Sequence, residues 1–434
     1  MVLSGAPPSK SWTELNANQI RGFWAAWGGW ALDGMDASIY AVVLVPALRE
    51  LLPRSGIAAT PANIGYYGSV LLALFLFGWG LSMMWGPVAD RYGRVRALML
   101  TILCYSLFTF LCGLVTSIWQ LAVLRVLCGI GIGGEQPIGG TFVAEVWPED
   151  RRKMGAGYMH TGYYFGFFLA ALANYFIGAN FGWRWMFVLG GAPALLVSWI
   201  RRGVRESEAW QRRLGDSQRR LAMGQAFAEL FSPRYRRRTI VMSLLFLVSI
   251  IGLWAGSIYV PTAVTQISLR QGHTAADAAR LASYGTGLLS IGTILGCVLL
   301  PLIAERLGRR LTLGLFFAVM GVSIAIAFGY VFYLPQALPL FFVMVFLLGL
   351  GGANFATFTL WIPEQYATEC RASAIGFTSS VGRFVGCAMV FLVGSGIARF
   401  GSLGIPVALT SLAFVVGFAL LPLSDETRGK PLPV

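Results

Sequence analysis

The sequence predicts an all-α membrane protein: twelve transmembrane helices in two pseudo-symmetric six-helix halves. Three observations carry that reading. Of 434 residues, 56% are hydrophobic and only 12% charged, with a mean hydropathy of +0.68; a soluble chain is nearer a quarter charged. Apolar runs of about twenty residues, each able to cross roughly 30 Å of hydrocarbon as a helix, recur along the whole length. Two pairs of loop motifs also repeat, each pair separated by about half the chain.

Taken in order, residues 1–21 are polar and carry no cleavable signal pattern, so they read as a cytoplasmic segment ahead of helix 1. The first half, 22–202, holds apolar runs at 22–48, 63–86, 97–116, 118–146, 154–178 and 183–202. A basic connection, 203–238, follows. The second half, 239–423, holds runs at 239–262, 281–303, 312–333, 338–362, 372–397 and 404–423, and 424–434 is a cytoplasmic tail. "GPVADRYGRVRA" after helix 2 is echoed by "PLIAERLGRRLT" after helix 8, which aligns Asp90 with Glu305. "AEVWPEDRRKMGAG" after helix 4 is echoed by "IPEQYATECRASAIG" after helix 10. There Glu145 and Glu364, Arg152 and Arg371, and Gly157 and Gly376 share one offset. A duplicated six-helix unit with a long linker explains both pairs.

The net charge of +14 raises nucleic acid as a partner, so its distribution decides. With both termini inside, most Lys and Arg fall on the cytoplasmic side, and "RRGVRESEAWQRR" and "RYRRR" crowd the central connection. That bias fixes orientation and favours contact with anionic lipids at the cytoplasmic face rather than nucleic acid. The expected location is the plasma membrane, for a bacterium the inner membrane. Six cysteines form no CxxC pair and only two histidines exist, so neither a disulfide nor a metal site is expected. Nothing resembles a nucleophile with its base, so the chain does not read as an enzyme. No cofactor is implied, and a monomer is expected.

Gly86-x-x-x-Asp90-Arg91-x-Gly93-Arg94 resembles the loop 2–3 signature of the major facilitator superfamily, and Arg125-x-x-x-Gly129-x-Gly131-x-Gly133 its helix 4 motif. "GWRWMF" at helix 6 and "DETRGKPL" after helix 12 are similar to its sugar and organic-ion branches. Asp33-Gly34-x-Asp36 in helix 1 and "GIGIGGEQ" in helix 4 resemble the sialate, aromatic-acid and metabolite proton symporters. Gln136 departs from that branch, which often has an aromatic there, and "RESEAW" replaces its "PESP". The resemblance implies a cytoplasmic gate drawn from Gly86, Asp90, Arg91, Arg94, Glu145, Arg152, Glu305, Arg306, Glu364 and Arg371. Physically, Gly86 would let helix 2 approach a neighbour, and Asp90 with Arg91 and Arg94 would form an ion-pair latch.

The charges inside the spans are Asp33, Asp36, Glu135, Arg125 and Arg383. Each costs about 2.5–3.5 kcal/mol at mid-helix, so each is expected to face a cavity or a partner. Asp33 and Asp36, at i and i+3, share a helical face roughly 17 and 21 Å from the inner end of helix 1. Two carboxylates so close in low dielectric cannot both ionise cheaply, so one is expected to hold a proton that a proton-driven carrier could use. The alternative is a structural pair with Arg125. Glu135, ten residues after Arg125, lies roughly 80° around the same helix, could border the same cavity, and is a candidate for proton coupling with Asp33 and Asp36. Gly129-x-Gly131-x-x-Gly134 matches a dinucleotide fingerprint, but no strand precedes it, so the glycines read as a packing face.

Arg383 is the strong base of the second half's spans, with no acid in them to neutralise it. Such a guanidinium invites an anionic ligand, held bidentately if a carboxylate; a structural pairing with Asp36 is the alternative. Gln136, Tyr164, Trp254 and Asn354 are candidates to contact substrate, or else pack the interior. His160 is a candidate titrating group, or else a hydrogen-bonded interior residue. Together these residues predict a proton-coupled symporter importing a small organic anion, a monocarboxylate, by alternating access with the proton gradient as driving force. A proton-coupled exporter of a cationic or amphipathic compound is the alternative, which Arg383 disfavours by repulsion.

Overall fold

The computed structural model describes residues 15–149, 151–214, 223–400 and 402–433. Residues 1–14 of the N-terminal segment, 215–222 of the connection and the last residue of the tail lie outside the described residues. Most of those described are helical, and none of them lies in a strand.

Helix 1 runs Ala17–Arg54, and a capping box starts it: Asn16 accepts from the Gln19 N–H while the Gln19 side chain accepts from the Asn16 N–H. Thr60 caps helix 2, Pro61–Leu81, which continues through a 3-10 turn, Ser82–Met84, into Trp85–Tyr92. Gly93 then separates it from helix 3, Arg94–Cys112. Helix 4 is broken: Ile118–Ile132 ends at a Gly133–Gly134 turn, and Glu135–Val146 resumes. Helix 5, Arg152–Ala173, runs on through a π turn, Asn174–Gly178. Helix 6 comprises Trp183–Leu189 and Ala194–Gly203.

Two short helices, Glu208–Leu214 and Met223–Leu230, belong to the connection. Helix 7 repeats the π device: Arg236–Ile250, a π turn at Ile251–Gly256, then Val260–Arg270. Helices 8 and 9 lie within Ala275–Gly329 and are separated at Gly308 (φ 81°, ψ 175°), as helices 2 and 3 are at Gly93. Helix 10 is broken like helix 4, into Leu338–Gly352 and Asn354–Trp361. Helix 11 is Arg371–Phe400, and helix 12 comprises Gly404–Leu409 and Leu412–Leu420.

Among the described residues, seven helical stretches are long and apolar enough to cross a membrane. Helices 1 and 11, which carry Asp33, Asp36 and Arg383, are not among them. Two large buried apolar clusters form, one from helices 1–6 and one from helices 7–12, and Trp254 packs against both. The functional groups lie where these clusters meet and at the end of the bundle that holds Asn16 and Pro433, the termini end of the described residues.

Candidate functional site

At the termini end, charged loops hold the halves together. The buried Arg94 donates to both oxygens of Glu145 at 3.2 and 2.9 Å, and to the Thr368 carbonyl of the other half at 2.7 Å. Arg371 reaches the same Glu145 at 2.8 Å. The Asp90 carboxylate sits on the N-terminus of helix 11. It accepts from the Ala372 N–H (3.3 Å), the Ser373 N–H (2.9 Å) and the Ser373 hydroxyl (2.6 Å), with Arg94 at 3.2 Å. A carboxylate there meets the positive end of the helix dipole. Gly86 permits the approach, since a Cβ at that position would stand 2.5 Å from the Ser373 Cα.

The second half repeats the network. Arg309 donates to both oxygens of Glu364 at 2.9 and 2.8 Å. The Ser207 hydroxyl donates to Glu145 at 2.5 Å, and the Thr427 hydroxyl to Glu364 at 2.6 Å. Glu206 accepts from the first turn of helix 3 at the Val95 N–H, and Glu426 from the start of helix 9 at the Arg309 and Arg310 N–H groups. Burial pushes the Glu206 carboxyl up. Burial acts the same way on Glu426, but N–H donors at Arg309, Arg310, Arg428 and Thr427 outweigh it and hold that carboxyl below its ordinary value. Two further cross-half pairs are Arg152 with Glu364 at 3.7 Å and Lys153 with Glu305.

Two expected gate residues are not in this network. Arg91 is exposed, lying over the Tyr92 ring at 5.5 Å. Arg306 is also exposed and offers only its carbonyl, to Arg428. The bends at Gly93 (φ 108°) and Gly308 explain this: they turn Arg94 and Arg309 inward and leave the arginines before them in solvent. Arg309, Glu206 and Glu426 were legible as half-repeat counterparts or neighbours of residues in the motifs, but charge alone does not single them out.

Deeper in the bundle, Asp33, Asp36, Glu135, Arg125 and Arg383 are all buried. Asp33 has no hydrogen-bond partner among the described residues, and Asp36 lies by the Thr109 hydroxyl. Asp33 meets the charges of Glu135, Asp36 and Arg383, and Asp36 meets that of Arg125. The acid facing Arg383 is therefore Asp33, not Asp36 as a structural pairing would require. The Arg125 guanidinium lies between the rings of Tyr40 (4.1 Å) and Phe75 (4.3 Å), where cation–π attraction replaces hydration. Arg383 donates to the Ser379 carbonyl at 2.8 Å and to Gln136 Oε1 across the halves at 3.4 Å. Its guanidinium lies over the Trp79 ring at 4.4 Å, and its Nε has no partner among the described residues.

Two halves meeting around buried charges are what a carrier needs, and the sequence relatives decide which kind. Residues 26–389 match the Major Facilitator Superfamily. The chain belongs to that superfamily. It is 30% identical over 421 residues to a probable 4-methylmuconolactone transporter of Cupriavidus pinatubonensis, spanning 95% of this chain and 91% of that one. It is 27% identical to the niacin transporter NiaP of Acinetobacter baylyi, over 94% of each chain. The fold matches the proton:xylose symporter XylE bound to 6-bromo-6-deoxy-D-glucose with a TM-score of 0.75, at 16% identity, over 96% of this chain and 98% of that one. This major facilitator chain is thus an integral, multi-pass membrane transporter and not an enzyme.

Within the major facilitator fold the remaining candidates separate. Trp254, in the π turn of helix 7, stands edge-on to Trp79 with centroids 6.2 Å apart. His160 stacks flat on Phe355 at 6.2 Å and lies 5.7 Å from Trp30. Tyr164 packs on Tyr163 and Phe167, beside Thr293 and Cys297 of helix 8. Asn354 is directed inside the second half, donating to Met320 Sδ at 3.2 Å and to the Gly351 carbonyl at 2.8 Å. The structure does not bring it to Arg383. Trp79, Trp30, Tyr163 and Phe355 escaped the sequence reading because an aromatic in an apolar span ordinarily packs.

Proposed function

We propose that this chain is a proton-coupled symporter that imports a small organic anion, a planar cyclic monocarboxylate, by alternating access across the bacterial inner membrane. The end carrying the termini is then cytoplasmic, and its cross-half ion pairs close that face. The observation that carries the proposal is Arg383: a buried guanidinium, open at Nε, bonded to a carbonyl and an amide and flanked by Trp79. A carboxylate would complete its bonding, and the faces of Trp79, Trp254 and Tyr163 suit a flat ring. The names of two relatives, for a methylmuconolactone and for niacin, support a ring of that kind. Asp33, Asp36 and Glu135 would carry the protons.

The test is calorimetric binding of nicotinate beside its amide, nicotinamide, by the purified transporter. Wild type is expected to prefer the carboxylate. Losing a charge-assisted pair costs roughly 2–5 kcal/mol, so Arg383→Ala weakens nicotinate by about 30- to 4000-fold. Arg383→Lys, which keeps the charge but loses the fork, falls between. If Arg383→Ala binds nicotinate as wild type does, or wild type prefers the amide, the anion reading gives way to export of a cation.

A further inference from the structure

Glu135 opens the second segment of helix 4 and is fully buried. Its Oε1 lies 2.6 Å from the Thr101 hydroxyl of helix 3, and that same hydroxyl lies 2.8 Å from the Leu98 carbonyl. A threonine has one hydroxyl proton to give and two lone pairs to offer. Back-bonding to a carbonyl within the helix is ordinary for threonine, but it does not explain a buried carboxyl on the same oxygen. Thr101 is also held in place, because its methyl fills the helix 4 break: a Cβ on Gly134 would stand 2.4 Å from the Thr101 Cγ2. The second carboxyl oxygen, Oε2, has no partner among the described residues and points at Gly29 of helix 1, where a Cβ would stand 2.3 Å away. Gly29 and Asp33 lie four residues apart, so they share a face of helix 1.

We propose that Thr101 is the positioning residue of the Glu135 proton site, translating the carboxyl's charge into a choice of hydrogen-bond partner. With Glu135 ionised, the Thr101 proton goes to Oε1. With Glu135 protonated, the carboxyl donates to Oγ1 and the Thr101 proton goes to the Leu98 carbonyl. One proton is taken up, no bond to carbon changes, and the helix 3 backbone registers the difference. The inference deepens, and rests on, the proton-coupled reading above. The helices packed against the Glu135–Val146 segment carry Asp33 on helix 1, Tyr105 on helix 3, His160 and Tyr163 on helix 5, and Arg383 on helix 11. Asp33 and Tyr105 are the groups whose charge it meets directly. The half-repeat supplies an internal contrast. Asn354 opens the broken segment of helix 10 as Glu135 does that of helix 4, and its partners are a thioether and a carbonyl. That side cannot titrate.

The test is infrared difference spectroscopy of the full chain in liposomes between acidic and alkaline buffer, with protons as the only ligand. A protonated-carboxyl band that disappears in Glu135→Gln identifies the site. Its midpoint is expected to move by about one pH unit or more in Thr101→Val, the worth of a hydrogen bond to a charged group. Thr101→Ser, which keeps the hydroxyl, restores the wild-type midpoint; Thr101→Ala replaces the valine variant if that one fails to fold. No band sensitive to Glu135→Gln at any pH, or a midpoint unmoved in Thr101→Val or Thr101→Ala, overturns the proposal. The measurement involves no transport, so its failure leaves coupling through Asp33 and Asp36 to be decided by accumulation assays.

Discussion

Asp33 and Asp36 are three residues apart on helix 1 and meet each other's charge, but Asp33 also meets Glu135 and Arg383 while Asp36 meets Arg125, and this separates what their substitutions should do. Asp33 lies toward Arg383 and Glu135, where substrate and protons would meet. Asp33→Asn is therefore expected to abolish proton-driven accumulation in vesicles while exchange between substrate-loaded sides survives. Asp36 meets the charge of Arg125, whose guanidinium is otherwise set among the rings of Tyr40 and Phe75 and beside Cys128 and Cys112. Asp36→Asn leaves that buried charge uncompensated, so it should lower the thermal unfolding temperature as well as transport. If Asp33→Asn accumulates substrate against a gradient as wild type does, the coupling assignment is wrong. The sequence could show that these acids lie at mid-membrane, because helical rise and hydropathy are local properties. It could not show which neighbour each one faces, because that depends on how helices 3, 4 and 11 pack around helix 1.

The two loop networks show how much the half-repeat made legible. Aligning the halves marks Glu145 with Glu364 and Arg152 with Arg371, and all four meet at the seam. Arg91 and Arg306 carry the same motif but lie outside it, since one glycine with positive φ decides which arginine turns inward. The acidic caps after helices 6 and 12 are alike in sequence and opposite in electrostatics, which gives a pH test. Glu426 is held below its ordinary value, so its stabilisation is complete above the usual glutamate range and is lost as pH falls through its folded value. Glu206 is raised by burial, so its contribution is present in acid and lost as pH rises through its folded value. In thermal unfolding across pH, Glu426→Gln is expected to flatten the acid limb and Glu206→Gln the opposite limb. Glu426→Gln should cost about 1–2 kcal/mol where the wild-type cap is ionised, whereas Glu206→Gln, the isostere of the protonated carboxyl, should cost little in acid. Profiles parallel to wild type for both variants would remove these carboxylates from the pH response.

At the scale of the whole molecule, the halves are locked at one end and share buried charges at the centre, so opening the locked end must break a countable set of bonds. Asp90 holds the largest share: it joins three donors at the start of helix 11 to Arg94, which is itself bonded to Glu145 and to the Thr368 carbonyl. Asp90→Asn keeps the size of the side chain but loses its charge toward the helix dipole and Arg94. It also turns one acceptor into a donor facing N–H groups. The fold should survive, because each half keeps its own apolar cluster. The balance should shift toward a state open at the termini end, by tenfold or more if the variant costs the closed state about 1.4 kcal/mol. Cys370 provides a native reporter, being buried beside this latch and next to Arg371. In a background where the other five cysteines are replaced, maleimide labelling of Cys370 should accelerate in Asp90→Asn. Labelling at the wild-type rate with transport lost would mean that Asp90 orders helix 11 locally and does not hold the halves together.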